Sequence, residues 1–303
     1  MSILHLTDLH LLADRALHHG LVPTSDHLER VLEDASRGRR CRAIVVSGDV
    51  SADGSVSSYQ FARDAVGELA KAWSAPVVWA AGESDNRAAM RSVFKLPGSG
   101  MQPIEYYADI GELRIIVADT TVLGSTWGKI GNRIVGLKQA LSCPRELPAG
   151  ERKTMLVLHH PLAPPPTLKY AASALDDAPA VAQMLSKLEA KPEVVLCGHY
   201  RVGMMAVAAG IPVIVGPAVS GETSLDRGPS WDTATIRASY GIINLSDSHV
   251  DATSTPVSVE NEGAEVYSFP PAEASKTTQA NSRPSWSVET GLRWCGQGSE
   301  HLS

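Results

Sequence analysis

The chain has 303 residues, 44% of them hydrophobic and 20% charged, with a formal net charge of −6. That describes a globular protein able to bury one large core or two small ones, and it excludes collagen, coiled coil and wholesale disorder. Aromatic residues at 5% and the acidic balance give no footprint for nucleic acid or an anionic membrane surface, so an anionic substrate has to be met by a local cation or a metal.

Met1-Ser2 runs directly into an apolar strand at 3–6, with no basic segment and long apolar core ahead of it. No stretch of the chain approaches the ~18 apolar residues of a membrane span, so a cytoplasmic protein with no integral membrane segment is expected. Leu28, Val31, Leu32 and Ala35 then repeat with helical period, and Asp26 three residues before Glu29 has the spacing of a capping pair. A strand at 43–46, a helix through Phe61, Ala65 and Leu69, and strands at 77–81, 114–118 and 155–158 follow. A helix through Val181, Met184, Leu185 and Leu188 leads to a strand at 194–196. Strands alternating with helices imply a largely parallel sheet covered on both faces.

From about 204 the pattern turns to short strands at 204–208, 212–215 and 241–245 separated by Gly and Pro, the mark of antiparallel pairing that closes the domain. Residues 256–303, rich in Ser, Thr, Pro, Glu and Ala, read as a low-complexity flexible tail in which Trp286 and Trp294 are incidental. Cys41, Cys143, Cys197 and Cys295 lie too far apart for a C-x-x-C motif and read as buried or incidental thiols.

In an open α/β sheet, ligands bind beyond the carboxyl ends of the strands. Five expected strand ends deliver acids or imidazoles there: Asp8-Leu9-His10, Gly48-Asp49, Gly82-Glu83-Ser84-Asp85, His159-His160-Pro161 and Gly198-His199-Tyr200-Arg201. Asp8 and His10 are two residues apart, as are His199 and Arg201, which in extended chain puts each pair on one side. Oxygen and imidazole donors of this kind suit hard or borderline divalent ions. His160, opposite in parity to His159, is expected behind the site. Each motif alone is weak, since a strand-end Asp is often a helix cap and Gly-Asp often a turn. Their order and common placement carry the reading.

This succession resembles the calcineurin-like metallophosphoesterases, closest to the class III cyclic-nucleotide phosphodiesterases, over about residues 1–250. The resemblance implies an α/β, four-layer αββα sandwich over residues 1–255, with the flexible tail outside it. It also implies one or two divalent metal ions (Mn, Fe, Zn or Mg), a phosphodiester or cyclic-nucleotide substrate and a homodimer. By position, Asp8 and His10 would hold a first ion, Asp49 would bridge, and His159 and His199 would hold a second.

Two departures stand out. The family pattern has Asn and His where this chain has Glu83 and Ser84, and a final His where it has Arg201. A guanidinium has no free lone pair and cannot coordinate. At about 5 Å and an effective dielectric of about 20, its charge repels a divalent ion by on the order of 6 kcal/mol. Asp8, Asp49, Glu83 and Arg201 nevertheless carry the same summed charge as two Asp and a neutral Asn. Arg201 could therefore fork onto Glu83 or Asp8, while Glu83 still ligates the second ion.

A serine is a poor proton donor near neutrality, so with Ser84 in place of the family's catalytic histidine hydrolysis is expected to be slow by ~10²–10⁴-fold. Ser84, Asp85 and Arg201 are the expected catalytic group, with Arg201 clamping phosphate. A metal-dependent phosphodiesterase, favouring cyclic AMP, is the leading reading. A catalytically inactive nucleotide- or phosphate-binding pseudoenzyme is the second, and a structural role the third.

Overall fold

The computed structural model describes residues 1–142 and 153–270. Its first half carries β1 (Ser2–Leu6), α1 (Thr24–Arg37), β2 (Ala43–Val46), α2 (Val56–Trp73), β3 (Val77–Trp79) and α3 (Arg87–Phe94). There follow β4 (Tyr106–Ile110), β5 (Leu113–Val117), α4 (Ile134–Ser142), β6 (Lys153–Val157), α5 (Leu168–Ala172), α6 (Ala178–Ser186) and β7 (Val194–Cys197). The chain then becomes all strand: β8 (Met204–Ala208), β9 (Ile211–Val215), β10 (Glu222–Thr223), β11 (Asp232–Thr235), β12 (Ala238–Leu245), β13 (Val250–Val257) and β14 (Glu265–Phe269).

Two sheets stack face to face, with strand orders β13-β12-β1-β2-β3 and β4-β5-β6-β7-β9-β8, and a small third sheet runs β10-β11-β14. The two-residue period of each strand sorts its side chains between layers. Ala43 and Val45 enter the core between the two sheets, while Ile44 and Val46 face α1 and α2. Met155 and Val157 enter the same inter-sheet core, while Leu156 and Leu158 face α4 and α6. Three apolar cores between four layers give the expected αββα sandwich. Burying each such aliphatic side chain stabilises the fold by roughly 1.5–3 kcal/mol.

The single, largely parallel sheet of the periodicity reading is corrected to two mixed ones. β12 joins β1 antiparallel, and β4 and β8 flank the parallel run β5-β6-β7-β9 as antiparallel edges. The unforeseen strands β4, β13 and β14 are edges with few fully buried positions, so their sequences lack a strong apolar signal. The tail boundary moves accordingly: β13 runs through 257, and β14 pairs with β11. Residues from 271 on, with Trp286, Trp294 and Cys295, lie outside the described residues, as does Cys143.

The Asp26–Glu29 capping pair is also corrected. Helix α1 begins after Pro23 with no side-chain cap, and both acids instead grip Arg15, at 2.6 Å each. Cys41 and Cys197 are buried free thiols. Among the described residues no helix is long and apolar enough to cross a membrane.

Candidate metal centre

The loops leaving β1 and β2 continue side by side past the strand ends, with Asp8 N–H donating to Gly48 O and His10 N–H to Asp49 O. Gly198 N–H donates to His159 O, and Val219 and Ser220 donate to Thr7 O and Asp8 O, so the loops of both sheets are tied into one rim. The turns are tight. Asp8, His10, Asp49, His199 and Arg201 all have left-handed backbone, with φ between 44° and 69°, rather than the extended chain their spacing suggested. Left-handed conformation in a non-glycine residue costs roughly 1–3 kcal/mol and persists where surrounding structure enforces it, as at functional sites. Gly198 has no room for a β-carbon, which would strike Thr7 Oγ1 and stand 2.9 Å from Asp8 Oδ2.

Within the rim, His10 Nε2 lies 3.7 Å from Asp8 Oδ1 and 3.4 Å from Asp49 Oδ2. His159 Nε2 lies 3.7 Å from the same oxygen of Asp49 and 2.7 Å from Glu83 Oε2. His199 Nδ1 lies 3.0 Å from Glu83 Oε1. The far nitrogens are anchored: His159 Nδ1 on Ser47 O at 2.8 Å and His199 Nε2 on Ser173 O at 2.9 Å. A carbonyl can only accept, so each anchor accepts the N–H of the far nitrogen, and the near nitrogen is the one that would turn a lone pair to a bound ion. Without an ion, His199 Nδ1 is within hydrogen-bond distance of Glu83 Oε1, and against burial Asp49 and Glu83 hold His159 well above the usual histidine range.

That donor set fits a divalent ion. Two groups of ligand atoms converge, Glu83 with His159 and His199, and Asp8 with Asp49 and His159, each within 4.8 Å of one another. Asp8 Oδ1, Glu83 Oε2 and His159 Nε2 are buried atoms without a hydrogen-bond partner, and the close Glu83–His159 contact is poorly angled for a hydrogen bond. Polar atoms left unpaired in a protein interior are costly, and an ion held by either group would satisfy them. In their own fields, burial pushes the Asp49 carboxyl up, reinforced by Glu83. Burial also works against ionisation of Glu83, but His199 and His159 outweigh it and hold that carboxyl well below its usual range.

Four further residues of these motifs surround the donor set. Arg201 does not fork onto Glu83 or Asp8: Nε donates to Gly221 O at 3.2 Å and Nη2 to Ser220 Oγ at 3.1 Å, and it forms no ion pair among the described residues. Its left-handed backbone aims the side chain along the 220–221 loop. Ser84 gives its backbone N–H and hydroxyl to Asp49 Oδ1, with Ser51 O a second acceptor for the same hydroxyl. Its one hydroxyl proton is therefore taken. Asp85 is a positioning residue instead of a catalytic one, because its two oxygens accept the backbone N–H groups of Val50, Ser51 and Gly82 and the Tyr59 hydroxyl. Burial, reinforced by Asp49, pushes its carboxyl up to about 7. His160 sits behind the site, its ring nitrogens on Thr120 Oγ1 and Thr126 O.

Thr7, Ser47 and Ser173 went unpredicted because nothing in sequence distinguishes a serine or threonine that orients a ligand from any other. Tyr170, whose ring lies 5.3 Å from that of His199, and the pair His18-His19, of which His18 stacks on His10, were also missed, although adjacent histidines shortly after Asp-x-His were visible in the sequence.

Comparison with known proteins gives the family of the chain. The family described as calcineurin-like phosphoesterase matches residues 1–200. A cAMP/cGMP dual specificity phosphodiesterase of Mycobacterium tuberculosis is 33% identical over 218 residues, covering 71% of this chain and 66% of that protein. A protein of Rhodococcus erythropolis named as a cyclic nucleotide phosphodiesterase is 31% identical over 217 residues, covering 70% of this chain and 69% of its own length. The chain thus spans about two thirds of the length of these curated relatives. Among solved structures, purple acid phosphatase from yellow lupin superposes with a TM-score of 0.57 at 11% identity, covering 96% of this chain and 57% of that one, a likeness of fold.

Proposed function

The chain belongs to the calcineurin-like phosphoesterase family, and from that premise we propose that it is a metal-dependent phosphodiesterase, a hydrolase of small phosphodiesters with 3',5'-cyclic AMP as the favoured substrate. The observation that carries this reading is a pair of adjoining ligand groups, Glu83 with His159 and His199 and Asp8 with Asp49 and His159, in which Asp8 Oδ1, Glu83 Oε2 and His159 Nε2 are buried without a hydrogen-bond partner. Glu83, His159, His199 and Asp49 would hold one divalent ion of the Mn, Fe, Zn or Mg type, and Asp8, His10 and Asp49 a weaker second. A bound ion supplies Lewis acidity toward the phosphate and lowers the pKa of a water.

The chain's own groups supply the rest. Arg201, anchored through Nε and Nη2 and making no direct ion pair among the described residues, offers Nη1 and its charge to a phosphate oxygen and steadies charge developing there. Ser84 and Asp85 position the loop that carries Asp49. With no proton donor at position 84, turnover is reduced against a site that has one. A cytoplasmic location and a homodimer complete the reading.

The contact of Glu83 with both His159 and His199 favours a second possibility. A protonated His159 paired with Glu83 could close the site without metal and leave Arg201 to bind a nucleotide without turnover. Hydrolysis of bis(p-nitrophenyl) phosphate with added Mn²⁺ separates the two. Turnover that disappears in Asp49→Ala supports the enzyme, whereas a metal-free protein with no turnover, stabilised against heat by nucleotide, supports the binding protein.

A further inference from the structure

Two chains of side chains rise from the metal centre and meet at Tyr267 on β14. One begins at His10: the His10 and His18 rings are parallel within 7° at 5.0 Å, His18 lies 4.0 Å from His19, and His19 meets Tyr267 edge-on at 5.5 Å. The other begins at His199. Tyr170 packs against it at 5.3 Å, Lys169 Nζ lies 5.5 Å from the Tyr170 ring and 4.9 Å from the Tyr267 ring, and it donates to Tyr267 Oη at 2.7 Å. Tyr267 is therefore the keystone of an arch whose feet are two of the candidate metal-binding histidines. Arg201 is tied to the second of these chains, since Thr223 N–H donates to Arg201 O at 3.0 Å and the Thr223 hydroxyl lies 3.0 Å from Tyr170 Oη. Beside the keystone, Phe269 stacks on Tyr267 at 5.5 Å and is 40% exposed, in a chain with three phenylalanines, so an apolar ring is presented to solvent where rings are scarce.

The charge balance of the arch decides what it can hold. Lys169 is neutralised by Asp232 at 3.1 Å, so the keystone is not a second anion site. Tyr267 Oη accepts from Lys169 and keeps its own proton to donate. Planar rings with hydrogen-bonding edges, set beyond a guanidinium that takes phosphate, match a flat heterocycle with ring nitrogens joined to that phosphate through a sugar.

We propose that Tyr267, with His19, Lys169 and Phe269, forms the subsite that holds the nucleobase of the substrate. This rests on the phosphodiesterase reading for the position of the phosphate. It assigns a specificity role to β14, a strand beyond the 1–250 span of the family resemblance.

The test measures binding of two monoesters by calorimetry on the full chain with Mn²⁺: adenosine 5'-monophosphate and ribose 5-phosphate, which differ by the base. The wild type is expected to prefer the nucleotide, and Tyr267→Ala to cut that preference about tenfold, the usual loss when an aromatic platform under a base is removed. Tyr267→Phe should retain most of the preference, and Tyr267→Trp, which keeps a stacking face if the alanine variant does not fold, should retain or raise it. Equal wild-type affinity for the two ligands, a Tyr267→Ala variant that weakens both in proportion, or a Tyr267→Trp variant that loses the preference would overturn the subsite. Failure of the phosphodiesterase reading shows separately, as absence of diester hydrolysis in the metal-loaded wild type, because the binding ratio does not depend on turnover.

Discussion

Ser84 donates both its backbone N–H, at 2.9 Å, and its hydroxyl, at 2.8 Å, to the same oxygen of Asp49. The other oxygen of Asp49 is the one turned toward His10 and His159. Ser84 thus fixes which face of the bridging carboxylate meets the ion. Removing the hydroxyl leaves the backbone bond in place, and a hydrogen bond to a charged group contributes about 1.5–3 kcal/mol. Ser84→Ala is expected to weaken Mn²⁺ binding on the order of tenfold by calorimetry with the thermal midpoint little changed. Unchanged Mn²⁺ affinity would show that the serine orients nothing.

Restoring the family's ligands should strengthen the site. The triple variant Glu83→Asn, Ser84→His and Arg201→His removes a cation from beside the first ion and returns a neutral donor to each depleted position. Metal per chain, read by elemental analysis, and bis(p-nitrophenyl) phosphate turnover are both expected to rise, the latter by ~10²-fold or more if the histidine at 84 gives up its proton. A variant that binds no more metal than the parent refutes the assignment of these positions.

The rim depends on a missing side chain at Gly198. Gly198→Ala would drive a methyl into Thr7 Oγ1 and Asp8 Oδ2, and the β-branched Thr7 has little freedom to yield. Overpacking of this sort costs about 1–3 kcal/mol, so a lower thermal midpoint and reduced metal content are expected together. A fully stable variant with normal metal content would mean that the two loops are further apart than described.

His5 sets a pH dependence of stability. It is fully buried with Nε2 on Ser47 Oγ, and burial, partly opposed by the charge of Asp8, lowers its pKa from 6.5 to about 4. A depressed folded-state pKa means that the unfolded chain binds the proton first. Stability from this group is present above pH 6.5 and is lost as pH falls toward 4, with a full effect of about 3 kcal/mol. Urea melts at pH 7 and pH 4.5 should differ less in His5→Phe than in the wild type. An identical pH dependence in the two would remove His5 from the acid limb.

Much of this was legible in the sequence because it rests on period and punctuation. Val45 and Met155 face one layer while Ile44 and Leu156 face the two outer ones, and a short apolar run between turn residues fits a strand covered on both sides. Asp8, His10, Asp49, Glu83, His159 and His199 were legible because each stands just past such a run, where strand ends gather. The direction of Arg201 was not, since two-residue spacing implies a shared side only in extended chain and its φ is 53°. The donors that saturate Asp85 and the acceptors that hold Ser84 come from residues up to 35 positions away, which no local pattern encodes. Tyr267 was hidden for a different reason: β14 is an edge strand with no buried position, and its residues resemble the polar tail that follows.

Anomalous diffraction at the manganese edge from crystals grown with Mn²⁺ tests the central claim most directly. The expected result is a peak within bonding distance of Glu83, His159, His199 and the oxygen of Asp49 that Ser84 leaves free. No peak there at saturating Mn²⁺, with Glu83 still pressed against His159, would contradict the account.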